Sequence, residues 1–379
     1  MSLNIPTKST GDEVTAVEIN EMVNGINSNL DANTVKKSNC NQLYTPFGNS
    51  GTASKTGFWS WFYYGSKGNI TFLENQGVGG DGTQDMIDRI ANIPSETTLC
   101  TVMEATNDAG AGVTALVHAQ NMKIIFDNLI GRGINPVLIL PAPRDSAAIT
   151  LMIRTMSLYD WVTARNLGMM CFNPFDQLSD GYGYFKAGLS SDGLHPDEPA
   201  EQTAGDTLWD MYSEGGSTLP LNTNNNYGLI VNSLFMTDAT SDGKPDGWAT
   251  GGGTGHVMAP TSLGVGNTYT STGINDTTYA YTTFTVVQGN RYIIGAKVAA
   301  TFSNNTSGVV QMYVEAPSTA KKYIIQDCIQ DITDATVSLE FDADEAGDWK
   351  VFYASQGSNY QADISIAQVT LIDITAHTL

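Results

Sequence analysis

The sequence predicts an α/β domain followed by an antiparallel β-sandwich. Two observations predict this. Across residues 39–216, short apolar runs alternate with helical stretches, the pattern of a parallel sheet covered by helices on both faces. From residue 217 the helical period is lost. Alternating runs of strand length take over, punctuated by Gly, Asn, Asp and Ser, as in antiparallel sandwiches. The polar stretch "GGSTLPLNTNNN" marks the change. The expected division is 1–38, 39–216 and 217–379.

Residues 1–38 read as an extended start and one helix over 15–30. Thr15 caps that helix with Glu18 three residues on, a capping-box spacing. Val14, Val17, Met22, Val23 and Ile26 form an apolar stripe that needs a partner surface, for instance a copy of itself. In the α/β part the expected strands are 43–47, 70–74, 99–104, 136–140 and 169–172. The helices are 55–64, 84–91, 113–132, 146–165 and 199–212. Right-handed crossovers place a ligand site beyond the carboxyl ends of the strands. The sandwich strands are expected at 282–287, 292–298, 309–315, 322–327, 336–341, 349–354 and 364–374.

The balance of 39 acidic and 18 basic residues gives a net charge of -21. Such a chain repels phosphate backbones and anionic lipid, so nucleic acid and membranes are not expected partners. No apolar run is long enough to span a bilayer. Residues 1–20 lack the apolar core of a secretion signal. The four cysteines, Cys40, Cys100, Cys171 and Cys328, fit no zinc spacing. Cys40, Cys100 and Cys171 lie in or beside apolar runs and read as small buried hydrophobes.

Chemistry-bearing residues gather at the strand ends. "PFGNSGT" places Ser50 at the turn into a helix, exposed above the sheet. "NQGVGGDGT" follows the second strand, where Gly80 can offer a backbone N–H to an oxyanion. "EATND" follows the third, where the Asn107 amide can be another donor. "DGLHPD" precedes the last helix, and there Asp192 can orient His195, which can take the Ser50 proton. Each piece alone is ordinarily structural: a serine in a Gly-rich loop, a tight turn, a helix cap. Their order and shared position make the case. Of the four histidines, only His195 follows an aspartate at this spacing.

On these residues the middle segment resembles an SGNH hydrolase, a branch of the GDSL esterases. The resemblance implies a flavodoxin-like three-layer fold and ester hydrolysis through an acyl-enzyme. It makes Ser50 the nucleophile, Asp192 and His195 the acid and base, and the Ser50 and Gly80 N–H groups and Asn107 side chain the oxyanion hole. It implies no cofactor for catalysis. Two positions depart from the family pattern: Asn49 stands where Asp precedes the serine, and Ala105 stands where Gly lies two residues before the asparagine. Neither removes a reacting atom.

The stretch "NIPTKSTGDEVTAVEINEMVNGINS" resembles the start of bacteriophage tail-fibre and tail-spike proteins, which implies attachment to other virion proteins and a homotrimer. A virus particle released by lysis needs no secretion signal. The start of the last segment, "NYGLIVNSLFMTDATSDGKPDGWATGGG", resembles galactose-binding-like jelly rolls. There Asp238, Asp242 and Asp246 could hold calcium or form an acidic turn. Tyr269, Tyr279, Tyr281, Trp349, Tyr353 and Tyr360 could stack on sugars or fill the core.

The expected function is therefore a phage virion esterase that removes O-acetyl groups from a bacterial surface polysaccharide. One rival is a catalytically silent glycan-binding or structural virion protein on the same scaffold. A secreted or cell-surface bacterial acetylesterase is another.

Overall fold

A computed structural model of the chain describes residues 42–174, 178–221, 228–251, 254–260, 263, 266–274, 279–305, 309–328, 330–356 and 360–379. The expected N-terminal helix, Cys40 and much of the segment boundary lie outside them. Among the described residues no helix is long and apolar enough to cross a membrane.

The first strand line is split. β1 (Gln42–Tyr44) and β2 (Phe47–Gly48) are separated by Thr45 and Pro46, where proline has no N–H for the ladder. Both pieces pair in parallel with β5 (Leu99–Met103), Tyr44 against Leu99 and Phe47 against Val102. β3 (Ile70–Phe72) and β4 (Gln76–Gly77) flank them on the outer side. β6 (Asn135–Ile139) and β7 (Met170–Phe172) extend the sheet beyond β5. Counting each split strand as one line, the order is 2-1-3-4-5 and every pairing is parallel. In that order the ligand crevice opens where lines 1 and 3 diverge, above the ends of β2 and β5.

Alternate residues of the strands feed two cores. On one face Tyr44, Leu99, Val137 and Phe172 pack with Phe58 and Phe62 of α2 (Phe58–Gly65) and Ala204 and Leu208 of α7 (Glu198–Glu214). Gly205 lets these helices meet, since a Cβ there would lie 2.4 Å from the Phe58 carbonyl oxygen. On the other face Phe47, Cys100, Val102 and Leu138 pack against α3 (Thr83–Arg89), α5 (Ala115–Gly131) and α6 (Ala147–Asn166). Cys100, Cys171 and Cys328 are free and buried, as the reading of the first two as hydrophobes requires. The helix expected after Ser50 begins at Ser50 itself as a short α1 (Ser50–Ala53), ahead of the run from residue 55, and a short α4 (Thr106–Ala111) just beyond β5 was not expected.

Among the described residues, the remainder forms two five-stranded antiparallel sheets. In chain order the strands are β8 (Ala249–Gly251), β9 (Thr254–Pro260), β10 (Asn267–Ile274), β11 (Tyr279–Val286), β12 (Arg291–Asn305), β13 (Val309–Glu315), β14 (Lys322–Cys328), β15 (Ile332–Asp342), β16 (Gly347–Gln356) and β17 (Tyr360–Asp373). The sheets run β15-β12-β17-β10-β9 and β14-β13-β16-β11-β8. Trp349, Phe284, Ile294, Val314 and Ile366 fill one shared core. The sandwich is seated on α6: Ile293, Ile372 and Ile374 join the core around Trp161, Arg154 donates to the Pro220 carbonyl at 2.7 Å, and Arg165 pairs with Glu340.

Candidate active site

The chain turns sharply at the end of β2. Asn49 is the N-cap of α1, its Oδ1 accepting the Gly51 N–H at 3.1 Å. Ser50 thereby becomes the first helical residue above the sheet. A neutral amide makes this capping bond as a carboxylate would. The turn admits no side chain at Gly48, whose Cβ would lie 2.6 Å from the Met103 carbonyl oxygen.

Ser50 Oγ lies 2.8 Å from His195 Nε2, and His195 Nδ1 lies 2.8 Å from Asp192 Oδ2. The turn that carries the pair is held from within. Asp192 Oδ1 accepts the N–H groups of Leu194 and His195 at 2.8 and 2.7 Å, and the Ser190 hydroxyl donates to the His195 carbonyl at 2.7 Å. Gly193 has φ +69°, and a Cβ there would meet Asp145 at 2.6 Å, so this position takes glycine alone. The hydrogen bonds from the His195 ring and backbone hold the Asp192 carboxyl well below the usual carboxylate range. It stays ionised wherever His195 can act as a base.

The second and third loops meet each other. Gly80 has φ +88°. Asn107 Nδ2 donates to the Asp81 carbonyl at 2.8 Å, so the asparagine braces the loop that carries Gly80 and keeps its second amide hydrogen for another acceptor. The neighbour facing Ser50 is Gly79, whose Cβ would lie 3.9 Å from the serine Cβ.

Ala105 has φ +141° and ψ -25° and is fully buried. An L side chain at such φ costs about 1–3 kcal/mol. Its methyl packs beside Ala109, Ile153 and Met156 and recovers part of that cost. Ala105→Gly is expected to raise the melting temperature by a few degrees, with kcat unchanged or higher. A lower melting temperature would show that methyl packing outweighs backbone strain.

Sequence reasoning missed three contributors. Arg89, in the last turn of α3, donates to the Gly48 carbonyl at 2.8 Å and the Gln76 carbonyl at 2.6 Å, and pairs with Asp81. It ties the Ser50 turn to the Gly80 loop, yet in sequence it is one more helix-end cation. Glu201 on α7 is buried and lines the Ser50 cleft with Phe58, Met103, Leu194 and Ala204. Its Oε2 accepts the Phe58 N–H at 2.8 Å, capping α2 from outside. The third is a buried group of acids around His118.

Burial pushes the Glu201 carboxyl up to about 8. The folded state then keeps a proton that the unfolded chain loses near pH 4.3. This contribution to stability is present below the unfolded value and fades as pH rises toward 8. The Glu201→Gln protein is expected to lose less melting temperature between pH 5 and 8 than the native chain. Equal slopes in thermal scans would refute the assignment.

Glu104, Asp108 and His118 bring possible ligand atoms within 4.8 Å of one another. Both His118 ring nitrogens already lie at hydrogen-bond distance from carboxylates, 2.8 Å from Asp108 and 3.0 Å from Asp160, so neither faces a vacant metal position. The carboxylates of the calcium expectation lie together in one loop. Asp238 accepts from Asp242 and Gly243, Asp242 from Lys244, and Asp246 from Ala239. These carboxylates accept the loop's own N–H groups and shape it as an acidic turn. Of the aromatic candidates, Tyr269, Trp349 and Tyr353 take the core alternative, as alternation on strands with one buried face requires. Tyr279 and Tyr281 lie on the outer face, where Tyr281, Phe352 and Tyr313 pair in register across three strands. The Tyr360 side chain lies outside the described residues.

The chain thus carries serine, histidine and aspartate in hydrogen-bonded sequence above the crevice of a parallel sheet of order 2-1-3-4-5. No family model matches the chain, and no curated protein matches it. Solved structures do. A protein assigned to the lipolytic G-D-S-L family from Desulfitobacterium hafniense DCB-2 is 18% identical over 45% of this chain and 99% of its own, with a TM-score of 0.41. A lipolytic G-D-S-L family member from Veillonella parvula DSM 2008 is 17% identical over 45% and 98%, with a TM-score of 0.38. A catalytic mutant of Axe2, an acetylxylan esterase from Geobacillus stearothermophilus, is 11% identical over 45% and 95%, with a TM-score of 0.41. These likenesses are too distant to carry a residue's role or a substrate across.

Proposed function

We propose that the chain is a serine esterase that removes short acyl groups, foremost O-acetyl, from a bacterial surface polysaccharide, and that it works as part of a phage virion. The observation that carries the esterase reading is the unbroken sequence of contacts from Ser50 through His195 to Asp192. In the proposed reaction His195 Nε2 takes the Ser50 proton as Oγ attacks the ester carbonyl. The developing oxyanion is met by the N–H groups of Ser50 and Gly80 and by the Asn107 amide. His195 returns its proton to the leaving sugar oxygen, which departs as a hydroxyl, and the acyl group stays on Ser50. Water, deprotonated by His195, then attacks this ester, and acetate leaves as the serine recovers its proton.

The short acyl group is supported by the cleft. Glu201 stands among its apolar walls. A carboxyl there opposes long alkyl chains, which gain only from apolar contact. The polysaccharide and the virion are supported by the phage-like N-terminal sequence and by the sandwich seated beside the catalytic layers. The test is acetate release from O-acetylated polysaccharides against release of fatty acid from long-chain lipid esters. Acetate release supports the proposal; none, with efficient lipid-ester cleavage, removes it. Light scattering on the intact chain tests the proposed homotrimer, which a monomer would exclude.

Ala105 favours a second reading, a binding protein on a retained hydrolase scaffold, because a strained loop is tolerable where no turnover is needed. Glycan binding that is equal in the native and Ser50→Ala proteins, with no turnover in either, would establish it.

A further inference from the structure

Beneath the two oxyanion loops lies a group of buried ionisable side chains that the reaction does not touch. Glu104 comes from the end of β5, Asp108 from α4, His118 from α5 and Asp160 from α6, and all four are almost wholly buried. His118 Nδ1 lies 2.8 Å from Asp108 Oδ2 and Nε2 lies 3.0 Å from Asp160 Oδ2. Two N–H···O contacts to carboxylates need a proton on each nitrogen, that is, an imidazolium. Burial alone would drive that proton off. The Asp160 charge and the hydrogen bonds to both aspartates outweigh burial and hold the His118 pKa up near 10. Glu104 behaves oppositely: burial, then the Asp108 charge, pushes it up to about 8, partly offset by His118. Cys171 on β7 is the further titratable neighbour of Asp160.

The group is joined to both loops. Asp108 accepts the Thr83 N–H at 3.1 Å and the Thr83 hydroxyl at 2.6 Å, fixing the residues that end the Gly80 loop. A Cβ at Gly82 would lie 2.3 Å from Asp108 Oδ1, so that loop is closed directly onto the carboxylate. Glu104 Oε1 accepts the Asn107 N–H at 3.0 Å, fixing the backbone of the asparagine itself.

We propose that His118, held as a cation between Asp108 and Asp160, is a positioning residue that keeps the Gly80 and Asn107 loops in register with Ser50. It acts through Asp108 and never meets substrate. The proposal rests on the esterase reading for its catalytic consequence, though not for its structural one. Catalysis gains because oxyanion donors are effective only when they need no rearrangement as charge develops. A positioning residue of this kind should lower kcat when it is weakened and leave KM nearly alone.

The informative variant is Asp160→Asn. It keeps the shape of a residue that touches neither loop, so its effect must pass through His118; His118→Ala serves as the severe case and risks misfolding. In Asp160→Asn, kcat for p-nitrophenyl acetate is expected to fall about tenfold with KM within twofold. Amide exchange at Thr83, Asn107 and Asp108 should quicken. In the native protein, ¹⁵N spectra of the histidine rings at pH 8 should show an imidazolium that is absent from His118→Ala if that variant folds. Unchanged exchange at the three amides and an unchanged kcat in Asp160→Asn would overturn the proposal, as would a neutral His118 ring at pH 8. If the native chain has no esterase activity, the esterase reading fails, and the ring spectra and amide exchange still decide whether the clamp exists.

Discussion

Replacing His195 by Ala is expected to lower kcat for a simple acetate ester by about four to six orders of magnitude. Without the imidazole, the Ser50 hydroxyl has no base and the leaving alkoxide no acid. Asp192→Asn should cost less, about 10⁴-fold, and for a geometric reason. An Asn oxygen can still accept the Leu194 and His195 N–H groups that Asp192 Oδ1 accepts. Its amide nitrogen would then face Nδ1, favouring the tautomer with its proton on Nε2, pointed at Ser50. Neither change should move the melting temperature by more than a degree or two, because the His195 and Asp192 side chains are 40% and 52% exposed and exposed sites contribute little. Stopped-flow and steady-state kinetics on the two variants check these outcomes; a His195→Ala protein within tenfold of native would remove His195 from the mechanism.

Asn107→Ala is expected to lower kcat by about 10²–10³-fold with little change in KM. An oxyanion donor is needed in the transition state more than in the bound ester. Part of the loss will come from the Asp81 carbonyl, which loses its Asn107 partner, so the Gly80 loop loosens as well. Asn107→Asp separates the two contributions: its acceptor oxygens would repel both the Asp81 carbonyl and the oxyanion, and it should be worse than alanine. If kcat falls less than threefold in Asn107→Ala, the asparagine is a loop brace only.

The α/β layers were legible because their signals are local. The apolar runs at 99–104 and 136–140 are buried strands, and their two faces alternate as the pleat demands. What failed was local too: Pro46 splits the first strand line, and Gly57 delays α2 to Phe58. The serine, histidine and aspartate could be picked out because "DGLHP" places two of them in one turn. Arg89, Glu201 and His118 were hidden, because their partners lie 41, 143 and 42 residues away at Gly48, Phe58 and Asp160. No periodicity marks such pairs. In the sandwich, strand alternation was clear, but inward and outward aromatics share one pattern. Tyr353 and Tyr281 look alike until the register of β16 and β11 is known.

The most direct measurement is hydrolysis of p-nitrophenyl acetate by the intact chain and by Ser50→Ala, with both shown to be folded. Turnover in the native chain that is lost in the variant is the result expected if Ser50 is the nucleophile. Turnover that survives the substitution, or its absence from both proteins, would contradict the serine-esterase account and leave the α/β domain as a scaffold for binding.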